Sequence, residues 1–239
     1  MGTAMAVNYA NLFLHKFETE MLNDYERKTG LRPYIWLRYI DDIFFIWHHD
    51  DKSLQDFLTF CIAYSNEKKM KSNIRFETNS STVSVNFLDV TLNKSGNIVK
   101  TSLYSKPTDA HLYLDAKSSH PPHIVQNIPK GQFIRVRRIC SEDADFEDNA
   151  NHMKKYFLKR GYTEHQLQNS IDTVRKIPRI TLLSEKEKSH GKDPHSIFVC
   201  TWHPKLKKLP FKLRKNFNII SNYPKLSQIF KETPIVAFR

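Results

Sequence analysis

The stretch Leu37-Arg38-Tyr39-Ile40-Asp41-Asp42-Ile43-Phe44-Phe45-Ile46-Trp47 constrains the fold more than any other part of the chain. Two adjacent carboxylates sit between two runs rich in β-branched and aromatic residues, the composition of strands. Two residues between strands is the length of a tight hairpin loop, which would carry Asp41 and Asp42 out together at one end of a sheet. Like charges that close are costly unless something positive lies between them, and a hard divalent cation such as Mg²⁺ suits a pair of carboxylates. Asp is also a favoured turn residue, so a merely solvated turn fits the same letters. The flanking sequence has to decide.

Residues 4–28 read as one helix, with Leu12, Phe13, Phe17, Met21 and Leu22 at three- and four-residue spacing. Thr29-Gly30 with Pro33 supplies its stop. The start of this helix is lined by Gly2, Thr3, Ala4, Ala6 and Ala10, small residues that allow close approach to the backbone. Beyond the acidic stretch, residues 53–69 read as an amphipathic helix with Ser53 as N-cap. Strand patterns follow at 74–78, 83–92 and 98–104, separated by turn-forming residues. Helix, hairpin, helix and further antiparallel strands predict an α+β fold with helices on one face of an antiparallel sheet.

The prolines 107, 121, 122 and 129 make residues 106–129 read as a linker. Helical patterns at 131–141, 145–160 and 163–177 come next, the last with Thr163 as N-cap and Gly161-Tyr162 before it. Two helices joined by a short glycine-containing turn, after a third, form a helix-turn-helix arrangement. The remainder holds a polar loop at 183–194, a strand at 197–201, a basic segment at 205–215, a short helix at 223–230 and a strand-like C-terminal run. The domains so expected are 1–105, a linker at 106–129, a helical domain at 130–180 and a basic extension at 181–239.

The formal charge of +12 is distributed unevenly. Residues 1–120 carry 14 basic and 14 acidic side chains, whereas 121–239 carry 23 and 11. A neutral front and a basic back point to a polyanion as the partner of the back half, solvated lysine being the plainer explanation. No run of eighteen apolar residues exists, so no membrane span is expected, and no secretory signal is visible. The N-terminus imitates a myristoylation signal but has Ala6 where Ser or Thr is needed. Three scattered cysteines fit a reducing, intracellular compartment, the nucleus included. His48-His49-Asp50-Asp51 and Cys200-x-x-His203 are metal-capable, but a solvated loop and half a site describe them better.

Taken in order, these segments resemble the reverse transcriptases of Penelope-like retroelements. The similarity rests on Gly2-Thr3-Ala4-Met5-Ala6 and Tyr9-Ala10-Asn11-Leu12-Phe13 as motif B, and on Arg38-Tyr39-Ile40-Asp41-Asp42-Ile43-Phe44 as motif C. It continues through Phe87-Leu88-Asp89-Val90-Thr91, Lys106-Pro107-Thr108-Asp109, Ser119-His120-Pro121-Pro122, Gly131-Gln132-Phe133-Ile134-Arg135 and the last six residues. The resemblance implies a partial polymerase palm from motif B onward, followed by a helical thumb. It implies two-metal nucleotidyl transfer onto a DNA primer along an RNA template, with dNTP as substrate and Mg²⁺ or Mn²⁺ as cofactor. Asp41 would be the direct metal ligand and Asp42 its support. Gly2, Thr3, Met5 and Ala6 would face nucleotide or template, and Arg38, Tyr39, Phe87, Leu88 and Asp89 would lie near the primer end. Gln132, Arg135 and Arg138 would contact the nucleic-acid backbone.

The departures carry equal weight. Such an enzyme supplies a third carboxylate from an earlier strand, and this chain is expected to lack that strand, the fingers and the GIY-YIG endonuclease of many relatives. Asp50, Asp51 and Asp89 do not stand where that ligand belongs. The chain is therefore expected to be a fragment that binds metal weakly and is inactive alone. The alternative is a non-catalytic nucleic-acid-binding module built on the helix-turn-helix.

Overall fold

The computed structural model describes residues 3, 5–66, 74–185 and 196–239. These form a mixed α+β chain that divides into two compact units, Met1–Lys100 and Thr101–Arg239, with the division inside strand β5.

In the first unit, helix α1 (Ala6–Thr29) ends at Gly30, whose φ of 72° closes the helix while its N–H donates to the Glu26 carbonyl. Strands β1 (Ile35–Tyr39) and β2 (Asp42–Ile46) pair antiparallel, in a register that sets Trp36 opposite Phe45 and Tyr39 opposite Asp42. Helix α2 (Asp51–Asn66) follows. The core is an aromatic cluster: Phe17, Met21, Leu22 and Tyr25 of α1 meet Phe57 and Cys61 of α2, with Trp36, Phe45 and Trp47 from the hairpin against them. Phe57 lies at the centre, stacked on Trp47 at 4.9 Å and edge-on to Tyr25 at 4.9 Å. A second hairpin pairs β3 (Ser84–Phe87) with β4 (Val90–Ser95), and β5 (Ile98–Leu103) is the third strand of that sheet.

In the second unit, α3 (Pro122–Ile139), α4 (Asp143–Lys159) and α5 (Glu164–Arg175) surround one core, and α6 (Arg179–Leu183) lies against α3. Phe133, Val136, Cys140, Phe146, Ala150, Met153, Phe157, Leu167, Ile171 and Val174 are all buried, at the spacing an apolar helix stripe dictates. Further on lie β6 (Ile197–Cys200), α7 (Leu209–Lys215), α8 (Phe217–Ser221), α9 (Pro224–Ile229) and β7 (Ile235–Phe238). Here β6 and β7 pair in parallel.

Several expectations need correction. The antiparallel strands form a two-stranded and a three-stranded sheet rather than one layer. Residues 74–78 are not a strand, although Ile74 and Phe76 still pack on the aromatic core. The run 83–92 is a hairpin, because the chain reverses at Leu88-Asp89. Helix α2 begins at Asp51, and its cap is Asp50, whose carboxylate accepts from the Ser53 N–H at 2.6 Å; Ser53 is therefore inside the helix. The expected end of that helix, like most of the 183–194 loop, lies outside the described residues.

The largest change is at 106–129. Pro122 starts α3 instead of prolonging a linker, since a missing N–H costs nothing in a first helical turn. Pro129 sits buried inside the same helix. The extended segment before α3 also belongs to the helical core: Tyr113 stacks on Phe157 at 4.2 Å, and Ala116 donates to the Arg160 carbonyl.

Candidate functional site

Strand alternation decides what the acidic hairpin presents. Trp36 and Arg38, with their partners Phe45 and Ile43, share the face turned to the helices; Leu37, Tyr39, Asp42 and Phe44 share the other. The loop is one residue earlier than expected. It consists of Ile40 and Asp41, while Asp42 is already the first residue of β2. Both carboxylates are exposed, one at the tip and one at the root of the strand.

Ile40 has φ of 56°, a left-handed conformation that a β-branched side chain rarely adopts. A tight turn with a positive φ at its first central position ordinarily has glycine there. The compensating contact comes from Arg38. Its guanidinium donates to the Ile40 carbonyl at 3.0 Å, to the Asn11 side-chain oxygen at 2.8 Å and to the Asn11 carbonyl at 3.2 Å. Its Nε stands 2.7 Å from Glu18 Oε1, with the side chains only 12% and 9% exposed. That N–H does not align with the carboxylate as a hydrogen bond, so the contact acts through charge. Arg38 thus ties the turn to α1, on the face of β1 opposite Tyr39.

The second hairpin repeats the device. Leu88 has φ of 53° in a two-residue loop completed by Asp89, which is exposed. The Phe87 ring lies 5.6 Å from that of Phe44, on the same side of β2 as Asp42 and Tyr39. Of the small residues at the start of the chain, Thr3 and Met5 are exposed and Ala6 is partly covered, while Gly2 lies outside the described residues. Among the described residues no group of three or more His, Cys, Asp or Glu could hold a metal ion. Asp41 and Asp42 by themselves do not complete an octahedral Mg²⁺ site. His48, His49 and Asp50 form no metal group either; Asp50 is occupied in capping α2, and its acceptance of the Ser53 N–H holds its carboxyl below the usual value.

In the helical module the arginines divide by role. Arg137 is half-buried, donating to Asp143 at 2.5 Å and to the Ile177 carbonyl at 3.3 Å. Arg175 joins α5 to α4 through both Glu147 oxygens. Arg160 holds the Tyr113 carbonyl, and Arg179 the Arg138 carbonyl. Much of the module's positive charge is therefore internal. Of the expected backbone contacts, Arg138 is exposed on the side of α3 opposite the core stripe, Arg135 is partly covered and Gln132 borders the core.

Helix α5 carries a surface that sequence reasoning missed. Thr163 caps it by accepting from the Gln166 N–H, after a turn in which Gly161 has φ of 81°. Its buried stripe is Leu167, Ile171 and Val174. The opposite side presents His165, Asn169, Thr173 and Lys176, all exposed, with the Asn169 amide 2.9 Å from the His165 ring nitrogen. Spacing of three and four residues among polar side chains was the available signal.

Residues 112–172 match the family described as the animal helix-turn-helix domain. That span runs from the segment bearing Tyr113 through α3 and α4 into α5, so the match begins before α3 where the structure also begins the module. The helical region is thus helix-turn-helix-like. No curated protein and no solved structure matches the chain.

Proposed function

We propose that this chain is the palm-and-thumb portion of a Penelope-like reverse transcriptase, with the acidic hairpin belonging to the nucleotidyl-transfer site and the helical module holding nucleic acid. The observation that carries this reading is the hairpin tip. An exposed Asp41 follows a bulky residue in a left-handed conformation, and a half-buried arginine holds that conformation from the helix side. Backbone strain of this kind costs about 1–3 kcal/mol and gathers at functional sites. Asp41 and Asp42 are two metal ligands in this reading, and the remainder come from outside the described residues.

Iron-mediated cleavage tests it. With Fe²⁺ in place of Mg²⁺ and a primer–template bound, scission is expected near the primer 3′ end and is lost in Asp41→Asn. A bound primer–template with no Asp41-dependent scission overturns the assignment. In primer extension on an RNA template with Mg²⁺ or Mn²⁺, the chain alone is expected to be inactive.

A second reading is favoured by the helix-turn-helix match and the polar face of α5: a module that binds duplex nucleic acid without catalysis. The second helix of such a motif lies in the major groove with its N-terminal residues at base edges, and Asn pairs with adenine there. His165 and Asn169 occupy that end of α5. Asn169→Ala is then expected to weaken duplex binding and relax its sequence preference, and Asp41→Asn to leave both unchanged.

A further inference from the structure

The charge of the basic half is concentrated beyond the helical module. Residues 196–239 hold nine Lys and Arg against one acidic residue, Glu232, whereas 101–183 hold thirteen against nine. Among the described residues, Lys205, Lys207, Lys208, Lys212, Arg214 and Lys215 have no acidic partner. Six cations within eleven residues, with no acidic partner among the described residues, suit an external anion.

Their arrangement narrows the ligand. Helix α7 packs against β7 and α8, with Leu209 and Leu213 half-buried. Lys208, Phe211, Lys212 and Lys215 recur at intervals of three and four residues, so they share one face, and all four are exposed. Over seven residues at about 1.5 Å each, that face extends about 10 Å. Phe211 is 66% exposed, flanked along the helix by cations. Most of the phenyl ring faces solvent, a flat surface on the helix face that also carries three lysines.

We infer that the exposed face of α7 is a binding site for single-stranded nucleic acid, with phosphates on Lys208, Lys212 and Lys215 and a base stacked on Phe211. Charge along the backbone combined with an aromatic platform is the chemistry of single-strand recognition. A duplex offers the phosphates but not the free base face. An anionic membrane surface is the weaker fit, since interfacial helices bury a long apolar face and α7 has seven residues. This site is independent of the α5 surface and does not rest on the polymerase reading.

The test uses the full chain and labelled oligo-dT and oligo-U, with a duplex and phosphatidylserine vesicles as competitors. Phe211→Ala is expected to weaken single-strand binding by roughly 5- to 150-fold, the range for one stacked base, and Phe211→Trp to restore it. Replacing Lys208, Lys212 and Lys215 by Gln is expected to flatten the plot of log affinity against log salt by about 2 units, three phosphates' worth for a single strand. Single-strand binding indifferent to Phe211→Ala overturns the proposal, as does displacement by vesicles but not by unlabelled oligonucleotide. Because Phe211 is exposed, an unchanged thermal melt separates lost binding from lost folding. Asn169→Ala distinguishes the two surfaces: it acts on duplex binding alone if both readings hold, and a failure there leaves the α7 result intact.

Discussion

The helical module and the hairpin unit solve the same problem, burying aromatic side chains, in different ways. The module closes twelve buried residues into one cluster from three helices and the turns between them, whereas the hairpin unit buries six in its aromatic cluster and leaves the first half of α1 exposing Val7, Tyr9 and Leu12. In the module, arginines bond across the surface to finish the packing. In the hairpin unit a half-buried arginine, paired with a buried glutamate, holds one residue, Ile40, in a conformation it resists. The first is built to be stable. The second gives up stability at the place where its carboxylates are displayed.

The largest effect should separate the two cores. Phe157 contacts Tyr113, Phe133 and Tyr162 and is fully buried, as Phe57 is in the hairpin unit. Phe157→Ala is expected to cost about 3–5 kcal/mol in denaturant titration. Thiol labelling shows where the loss falls. Burial pushes the Cys140 thiol up, and the Cys61 thiol up to about 12, so both are inert while their cores are intact. Labelling of Cys140 should accelerate in Phe157→Ala while Cys61 remains protected, and Phe57→Ala should give the reverse. Equal acceleration of both cysteines in either variant would show that the cores are not separable.

The next effect concerns the clamp. Arg38→Ala leaves Glu18 buried without its partner and frees the Ile40 carbonyl, and is expected to cost about 3–5 kcal/mol. Replacing Glu18 and Arg38 together by Leu and Met should recover most of the loss if the cost is chiefly the stranded charge. A double variant as unstable as Arg38→Ala would instead assign the cost to the lost hold on Ile40 and Asn11.

How much of this was legible follows the same division. Apolar spacing located α1, α4 and α5, and Thr163 was readable as a cap, because those features depend on neighbours three or four residues away. The runs around Asp41 gave a hairpin, but its loop was placed one residue late: nothing in the composition favours Ile40 as a turn residue, and only the cross-strand register reveals it. Arg38 entered as a site residue only through the resemblance of its motif, and strand alternation sets it and Tyr39 on opposite faces. The prolines misled most, since Pro121 and Pro122 open a helix as readily as they end one. Tertiary contacts from Tyr113 and Ala116, invisible to local patterning, decided where the module begins.

Strain at the two hairpin tips predicts a smaller change of opposite sign. A left-handed conformation costs an ordinary residue about 1–2 kcal/mol, and glycine avoids most of that cost. Ile40→Gly should raise the unfolding free energy of the hairpin unit by about 1 kcal/mol in denaturant titration, and Leu88→Gly by a similar amount or less because Leu88 is better covered. If the tip is strained for function, Ile40→Gly should also lower the Asp41-dependent Fe²⁺ scission, whereas Leu88→Gly at the second hairpin serves as the comparison. Destabilisation by Ile40→Gly would mean that the side chain contributes more than the backbone loses.

The smallest effect distinguishes the two units by their helix caps. Helix α2 is capped by a carboxylate, Asp50, and α5 by a hydroxyl, Thr163. The Ser53 backbone N–H holds the Asp50 carboxyl below its ordinary value of 3.8, with the Ser53 hydroxyl and the neighbouring His49 and Lys52 acting in the same direction. A carboxyl whose folded value is depressed contributes stability above its unfolded value, and that contribution disappears as pH falls through the folded value. Acid should therefore weaken the start of α2, below about pH 4, and leave the Thr163 cap untouched. Trp47 reports the change directly, because its indole N–H donates to the Ser53 hydroxyl at 3.1 Å. Its fluorescence should shift on acidification in the native chain and much less in Asp50→Asn, which retains an acceptor but cannot titrate. An equal shift in both would place the acid sensitivity of the hairpin unit elsewhere, and the difference between the two caps would then have no part in it.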